Sequence, residues 1–178
     1  RFRIRLTPNP FQNASDFRQT LKLNDGYVEI AANGTKIQLW ADVFKPVIHV
    51  EIQSKKKIAT EIRYENWRYA DRLVRKGEGQ QNSYKWAVPE GLKTAKDSVL
   101  ASGNSVVFYH QNPKKTVFDL TVSQQGLDVV KTELYNPLKN LISGGKMWSN
   151  NLVYAGIENG MYAGTDFQSW IFKSKKPN

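Results

Sequence analysis

The sequence predicts an all-β fold, an antiparallel β-sandwich with long irregular loops, as one domain over residues 1–178. Three observations carry this expectation. Apolar and polar side chains alternate with period two over the first two thirds of the chain, the spacing that sends successive strand residues to opposite faces. β-Branched and aromatic residues concentrate in those runs. Turn-forming residues punctuate the runs at hairpin spacing.

In chain order, Phe2, Ile4 and Leu6 alternate with Arg1, Arg3 and Arg5, and Pro8-Asn9-Pro10 ends that strand. Asn24-Asp25-Gly26 and Asn33-Gly34 are turn signals. Ile37, Leu39, Ala41 and Val43 alternate with Lys36, Gln38, Trp40 and Asp42 until Lys45-Pro46 intervenes. Ile48, Val50 and Ile52 follow, and beyond the triplet Lys55-Lys56-Lys57 come Ile58, Thr60, Ile62 and Tyr64. A meander of hairpins is the economical arrangement of these runs. Residues 71–104 are polar and read as a long excursion, with short strands expected around Tyr84-Lys85-Trp86. Val106 to Tyr109 is apolar on both faces, as a central strand would be. Thr116 to Val122 reads as its hairpin partner across Asn112-Pro113-Lys114-Lys115. Residues 124–147 fit a short helix or an irregular crossing, and strands at 152–155 and 167–172 complete the set. Nine or ten strands overfill one sheet, so two packed sheets are expected.

Composition removes several function classes. The chain has no Cys, which excludes a disulfide scaffold, a thiolate metal site and a Cys nucleophile. Lys and Arg number 26 against 16 Asp and Glu, a net charge of +10, yet the excess is spread evenly along the chain. The lysine runs fall where turns and a tail are expected, so solvated turns explain them and nucleic acid is not an expected partner. No apolar run approaches the roughly 20 residues a membrane helix requires, and no membrane partner is expected. The start at Arg1, inside a strand, and the cationic end at Lys175-Lys176 read as an excised piece of a larger protein.

No G-x-S-x-G elbow occurs, and Ser143-Gly144-Gly145-Lys146 departs from a phosphate loop on both sides, with Asn140 and Met147 in the wrong places. No cofactor is expected. Of the two histidines, His49 shares a strand face with Glu51 and reads as a rim residue. His110 ends an apolar run at a strand-to-loop junction, where it either binds a ligand or hydrogen-bonds its own turn. With no second His or Cys at ligand spacing, no metal is expected. The acids lie mostly opposite Lys and Arg on polar strand faces, so no catalytic carboxylate is named. The most informative cluster is Glu65-Asn66-Trp67-Arg68-Tyr69. Continued alternation puts Trp67 on the face of Glu61, Arg63 and Glu65, an aromatic platform on which a sugar ring could stack while charged groups bind its hydroxyls. The alternatives are a bend that packs Trp67 under the long loop, and an interdomain contact.

The order Arg3-Ile4-Arg5-Leu6-Thr7-Pro8-Asn9-Pro10-Phe11, Trp40-Ala41-Asp42 before Pro46-Val47-Ile48, Glu65-Asn66-Trp67-Arg68, His110-Gln111-Asn112 and Lys173-Ser174-Lys175-Lys176-Pro177 resembles an N-terminal domain of bacterial glycoside-hydrolase-like proteins. That group is distantly related to the α-L-fucosidases of glycoside hydrolase family 95. The resemblance implies a β-supersandwich of galactose-mutarotase type, followed in the intact protein by an (α/α)6 toroid that carries the catalytic acids. It implies a periplasmic or secreted location. It places Trp67, Arg68, His110 and Asn112 near the rim of a carbohydrate pocket or at the domain interface. The expected function is a non-catalytic domain that packs on the toroid and touches carbohydrate. A standalone carbohydrate-binding module, a basic nucleic-acid-binding sandwich and a hydrolase acting through this chain alone are the rival readings.

Overall fold

The computed structural model describes residues 1–74 and 88–177. Among them lie thirteen strands: β1 (Phe2–Thr7), β2 (Arg18–Lys22), β3 (Tyr27–Ala32), β4 (Thr35–Ala41), β5 (Ile48–Ser54), β6 (Ala59–Asn66), β7 (Arg72–Leu73), β8 (Lys93–Thr94), β9 (Ser98–Ser102), β10 (Ser105–Gln111), β11 (Ile142–Trp148), β12 (Leu152–Tyr162) and β13 (Thr165–Ser174). One α-helix, α1 (Val117–Gln124), and a 3-10 turn at Asp128–Glu133 lie between β10 and β11. The described strand pairings are all antiparallel. The chain is an all-β, sandwich-like fold.

Four sheets result: β1-β6-β13-β12, β2-β3-β4-β5, β11-β10-β9 and the short ribbon β7-β8. Residues in register share a face. Phe2, Tyr64 and Trp170 therefore line up on one side of the first sheet, as do Ile4, Ile62 and Phe172. Both larger remaining sheets cover that one side. Tyr64, Leu152, Trp170 and Phe172 close on Val106 of β10, with Val99, Ala101, Phe108 and Met147 alongside. Leu6 and Ile4 close on Ile37 and Ile58, with Ile30, Leu39 and Ile52 alongside. The sandwich thus has two layers, and the second layer is divided between two sheets. Val106 and Phe172 are fully buried in it, each burial contributing about 1.5–3 kcal/mol.

The alternating runs at 2–6, 48–52 and 58–64 are strands, and Asn24-Asp25-Gly26 and Asn33-Gly34 turn between β2, β3 and β4. Asn33 and Gly34 both take positive φ, 49° and 75°, as a tight turn joining two twisted strands requires. Four expectations need correction. Lys55-Lys56-Lys57 is no hairpin, because β5 ends one sheet and β6 begins work in another. Residues 116–122 are not a strand. Thr116 is extended, and the Asp119 carboxylate accepts both its N–H and its hydroxyl at 2.8 Å, an N-terminal cap that starts α1 instead. The strand paired with β10 on that side is β11, from within 124–147, where glycines hide the alternation. A Cβ on Gly144 would stand 2.2 Å from the Phe108 carbonyl oxygen, so only glycine lets the two strands meet there. Finally, the excursion at 71–104 contributes β7, β8 and β9, while the strands expected at Tyr84-Lys85-Trp86 lie outside the described residues.

Candidate functional site

The outer face of the first sheet carries the residues that alternate with its core. Glu61, Arg63 and Glu65 of β6 stand beside Lys173, Ile171 and Ser169 of β13. Trp67, one step beyond β6, continues that side. Its ring lies 5.3 Å from Phe167 and 6.3 Å from Tyr162. Phe167 is buried because its ring crosses directly over Gly160, where a Cβ would come within 2.5 Å of the ring edge. Phe167 forms a floor, with Trp67 half-buried and Tyr162 exposed beside it. The Arg1 guanidinium sits 4.1 Å from the Tyr162 ring centre and 5.1 Å from that of Trp67, within cation–π range of both.

Beneath these rings lies a buried carboxylate. Glu65 is 1% exposed, and a lone carboxylate at that depth would be costly. Two guanidiniums compensate: Arg1 Nη2 stands 2.5 Å from Oε2, and Arg3 Nε stands 2.9 Å from Oε1. Arg63 continues the row, bridging Glu61 and Glu158 at 2.6 Å each. The face therefore pairs apolar ring surfaces with fixed hydrogen-bonding charges.

A second cluster sits on the opposite side of β6, at one end of the core. Arg68 Nε and His110 Nδ1 both reach Asp97 Oδ1, at 2.9 and 2.8 Å. Asp97 is itself held by its backbone N–H, which donates to the Arg68 carbonyl at 2.7 Å. Tyr64 lies close by, its phenol pushed up to about 12, first by burial and then by the Asp97 charge, with Arg68 opposing. Next to it, Asn66 Oδ1 accepts the Arg68 N–H at 2.8 Å, whereas Asn66 Nδ2 is buried without a hydrogen-bond partner among the described residues.

The structure thus brings Arg68 and His110 together through Asp97, and puts Trp67 on the other face of the same strand. Asn112 joins neither cluster. Its Nδ2 donates to the Leu138 carbonyl at 2.9 Å and its N–H to the Leu141 carbonyl at 3.0 Å, so it anchors the loop entering β11. His49 stacks on Trp40 at 4.8 Å, on the outer face of the β2–β5 sheet. Sequence reading missed Asp97, Tyr162 and Phe167. Asp97 lies in the stretch read as an excursion. Phe167 was legible in principle, since alternation from Ile171 through Ser169 leads to it.

Among the described residues no group of three or more His, Asp or Glu is placed to hold a metal ion. Residues 1–178 match the family described as domain of unknown function (DUF5703). No curated protein and no solved structure matches the chain.

Proposed function

We propose that this chain, which belongs to the DUF5703 domain family, is a non-catalytic β-sandwich domain of a glycoside hydrolase, as its resemblance to the N-terminal domains of glycoside-hydrolase-like proteins implies. In this reading it packs against an (α/α)6 catalytic domain through one layer of the sandwich and presents a carbohydrate-contacting face on the other. The observation that carries the reading is the set Trp67, Tyr162 and Phe167 beside Arg1, Arg3 and Glu65. A pyranose presents apolar C–H faces ringed by hydroxyls, and it binds where an aromatic face and charged hydrogen-bonding groups lie together. Arg1, flanked by two rings, supplies donors at the edge of that surface.

The packing half rests on a different face. On the outside of β9-β10-β11, Leu100, Ile142 and Trp148 are 68%, 58% and 54% exposed, with Val107 and Tyr109 between them. An apolar sheet face of this kind marks a surface that another body covers. Arg68, His110 and Asp97 then serve as a rigid support at the end of the core.

Affinity electrophoresis through gels cast with plant and bacterial polysaccharides tests the carbohydrate half. The chain is expected to be retarded by at least one of them, and Trp67→Ala and Tyr162→Ala each to lose that retardation while keeping the thermal midpoint within a few degrees. Retardation unchanged in both variants would contradict the reading. Tight, saturable binding by this chain alone would favour a standalone module.

A further inference from the structure

We propose that the free edge of β1 is a docking strand for an extended peptide that carries carboxylates at alternate positions. This rests on neither the family nor the carbohydrate reading. Among the described residues, β1 ends its sheet and pairs with β6 alone. In an antiparallel ladder, successive residues turn their N–H and C=O alternately toward the partner and away from it. The Glu65 N–H donates to the Arg1 carbonyl at 2.8 Å, which sets the phase. Arg1, Arg3, Arg5 and Thr7 face β6, and the backbone groups of Phe2, Ile4 and Leu6 point out of the sheet. Among the described residues, none of these outward groups has a backbone partner outside the strand ladders.

The edge is also shaped to receive a chain. A groove of about 560 Å³ is lined by the consecutive residues Arg3 to Thr7 together with Asn9, Phe11 and Ile37. Lining by both faces of one strand means that the groove runs along its edge. On the inner side Ile37 and Phe11 offer an apolar wall, and on the outer side stand the arginines. Arg3 is already engaged by Glu65, and Arg5 is exposed, with no ion pair among the described residues. An added strand would gain main-chain hydrogen bonds from Ile4 and Leu6, put apolar side chains against Phe11 and Ile37, and face carboxylates toward Arg5. Charge selects the partner, because the same edge would repel a basic strand.

The probe is a capped hexapeptide of alternating glutamate and valine, with the lysine–valine hexapeptide as control. On titration with the acidic peptide, the Ile4 and Leu6 amides are expected to become protected from hydrogen exchange by about tenfold or more at saturation, a shift of about 1.4 kcal/mol in opening. Binding should weaken as salt rises. Arg5→Glu, a substitution at an exposed position, should weaken the acidic peptide about tenfold and admit the lysine–valine peptide. Unchanged exchange at Ile4 and Leu6, or equal binding of both peptides by the unmodified chain, would overturn the proposal. So would a concentration-dependent dimer, seen by sedimentation, that already protects these amides without peptide.

Discussion

Tyr64 shows how one side chain can serve both the core and a polar cluster. Its ring stacks on Phe108 at 4.3 Å and meets Trp170 at 5.9 Å, while its hydroxyl feels Asp97. Burial, followed by the Asp97 charge, raises the phenol from 10.0 to about 12. A group whose pKa rises on folding stabilises the fold at pH values below its unfolded pKa. That contribution is fully present below pH 10.0 and is lost as the pH climbs toward about 12. Urea denaturation at stepped alkaline pH should therefore show stability falling across this window. In Tyr64→Phe the fall should be shallower, and an identical slope in both proteins would refute the assignment. At this scale the sequence was partly readable. Trp67 keeps company with Glu61, Arg63 and Glu65 because alternation survives one residue past β6. Arg68 and His110 meet only because Asp97, far from both in the chain, sits between them, and no local pattern announces such a contact.

The elements divide according to how strongly local pattern decides them. β1, β5 and β6 were legible because β-branched and apolar residues alternate there without interruption. α1 was not, since Phe118, Leu120 and Val122 satisfy a period of two as well as a helical face. The deciding feature is Asp119 three residues after Thr116, a capping pattern that competes with alternation and wins. Lys131, at 2.8 Å, and then Thr116 hold the Asp119 carboxyl well below its ordinary 3.8. A depressed pKa contributes stability above the unfolded value and loses it as the pH falls through and below 3.8. Asp119→Asn is expected to cost about 1 kcal/mol at neutral pH, as loss of an N-terminal cap does, and to flatten the acid limb. Parallel denaturation curves at pH 7 and in acid would check this, and an equal deficit at both would contradict it. β11 escaped notice for another reason. Its Gly144 and Gly145 have no side chains to alternate, and a Cβ at either would meet Phe108 or Tyr109 of the neighbouring strand.

At the scale of the whole molecule, one four-stranded sheet is the common element. Its apolar side is covered by two sheets, and its other side is left to Arg1, Arg3, Glu65, Trp67 and Tyr162. The expectation of two layers was readable from the excess of strands. The division of the second layer was not, because it depends on the Lys55-Lys56-Lys57 crossing leaving one sheet for another. This arrangement makes the outer face beside Trp67 rigid from below, through Phe167 over Gly160 and Glu65 under two guanidiniums. Rigidity bears on the proposed sugar contact, since a preorganised surface loses little entropy when a weak ligand settles on it. The most direct measurement is a titration of the labelled chain with fucosylated, xylo- and gluco-oligosaccharides to about 10 mM, following the indole resonances. At least one sugar is expected to move the Trp67 indole in a concentration-dependent way, with Trp170 in the core unmoved. A Trp67 resonance that stays fixed under every sugar, while Trp148 or no indole responds, would contradict it.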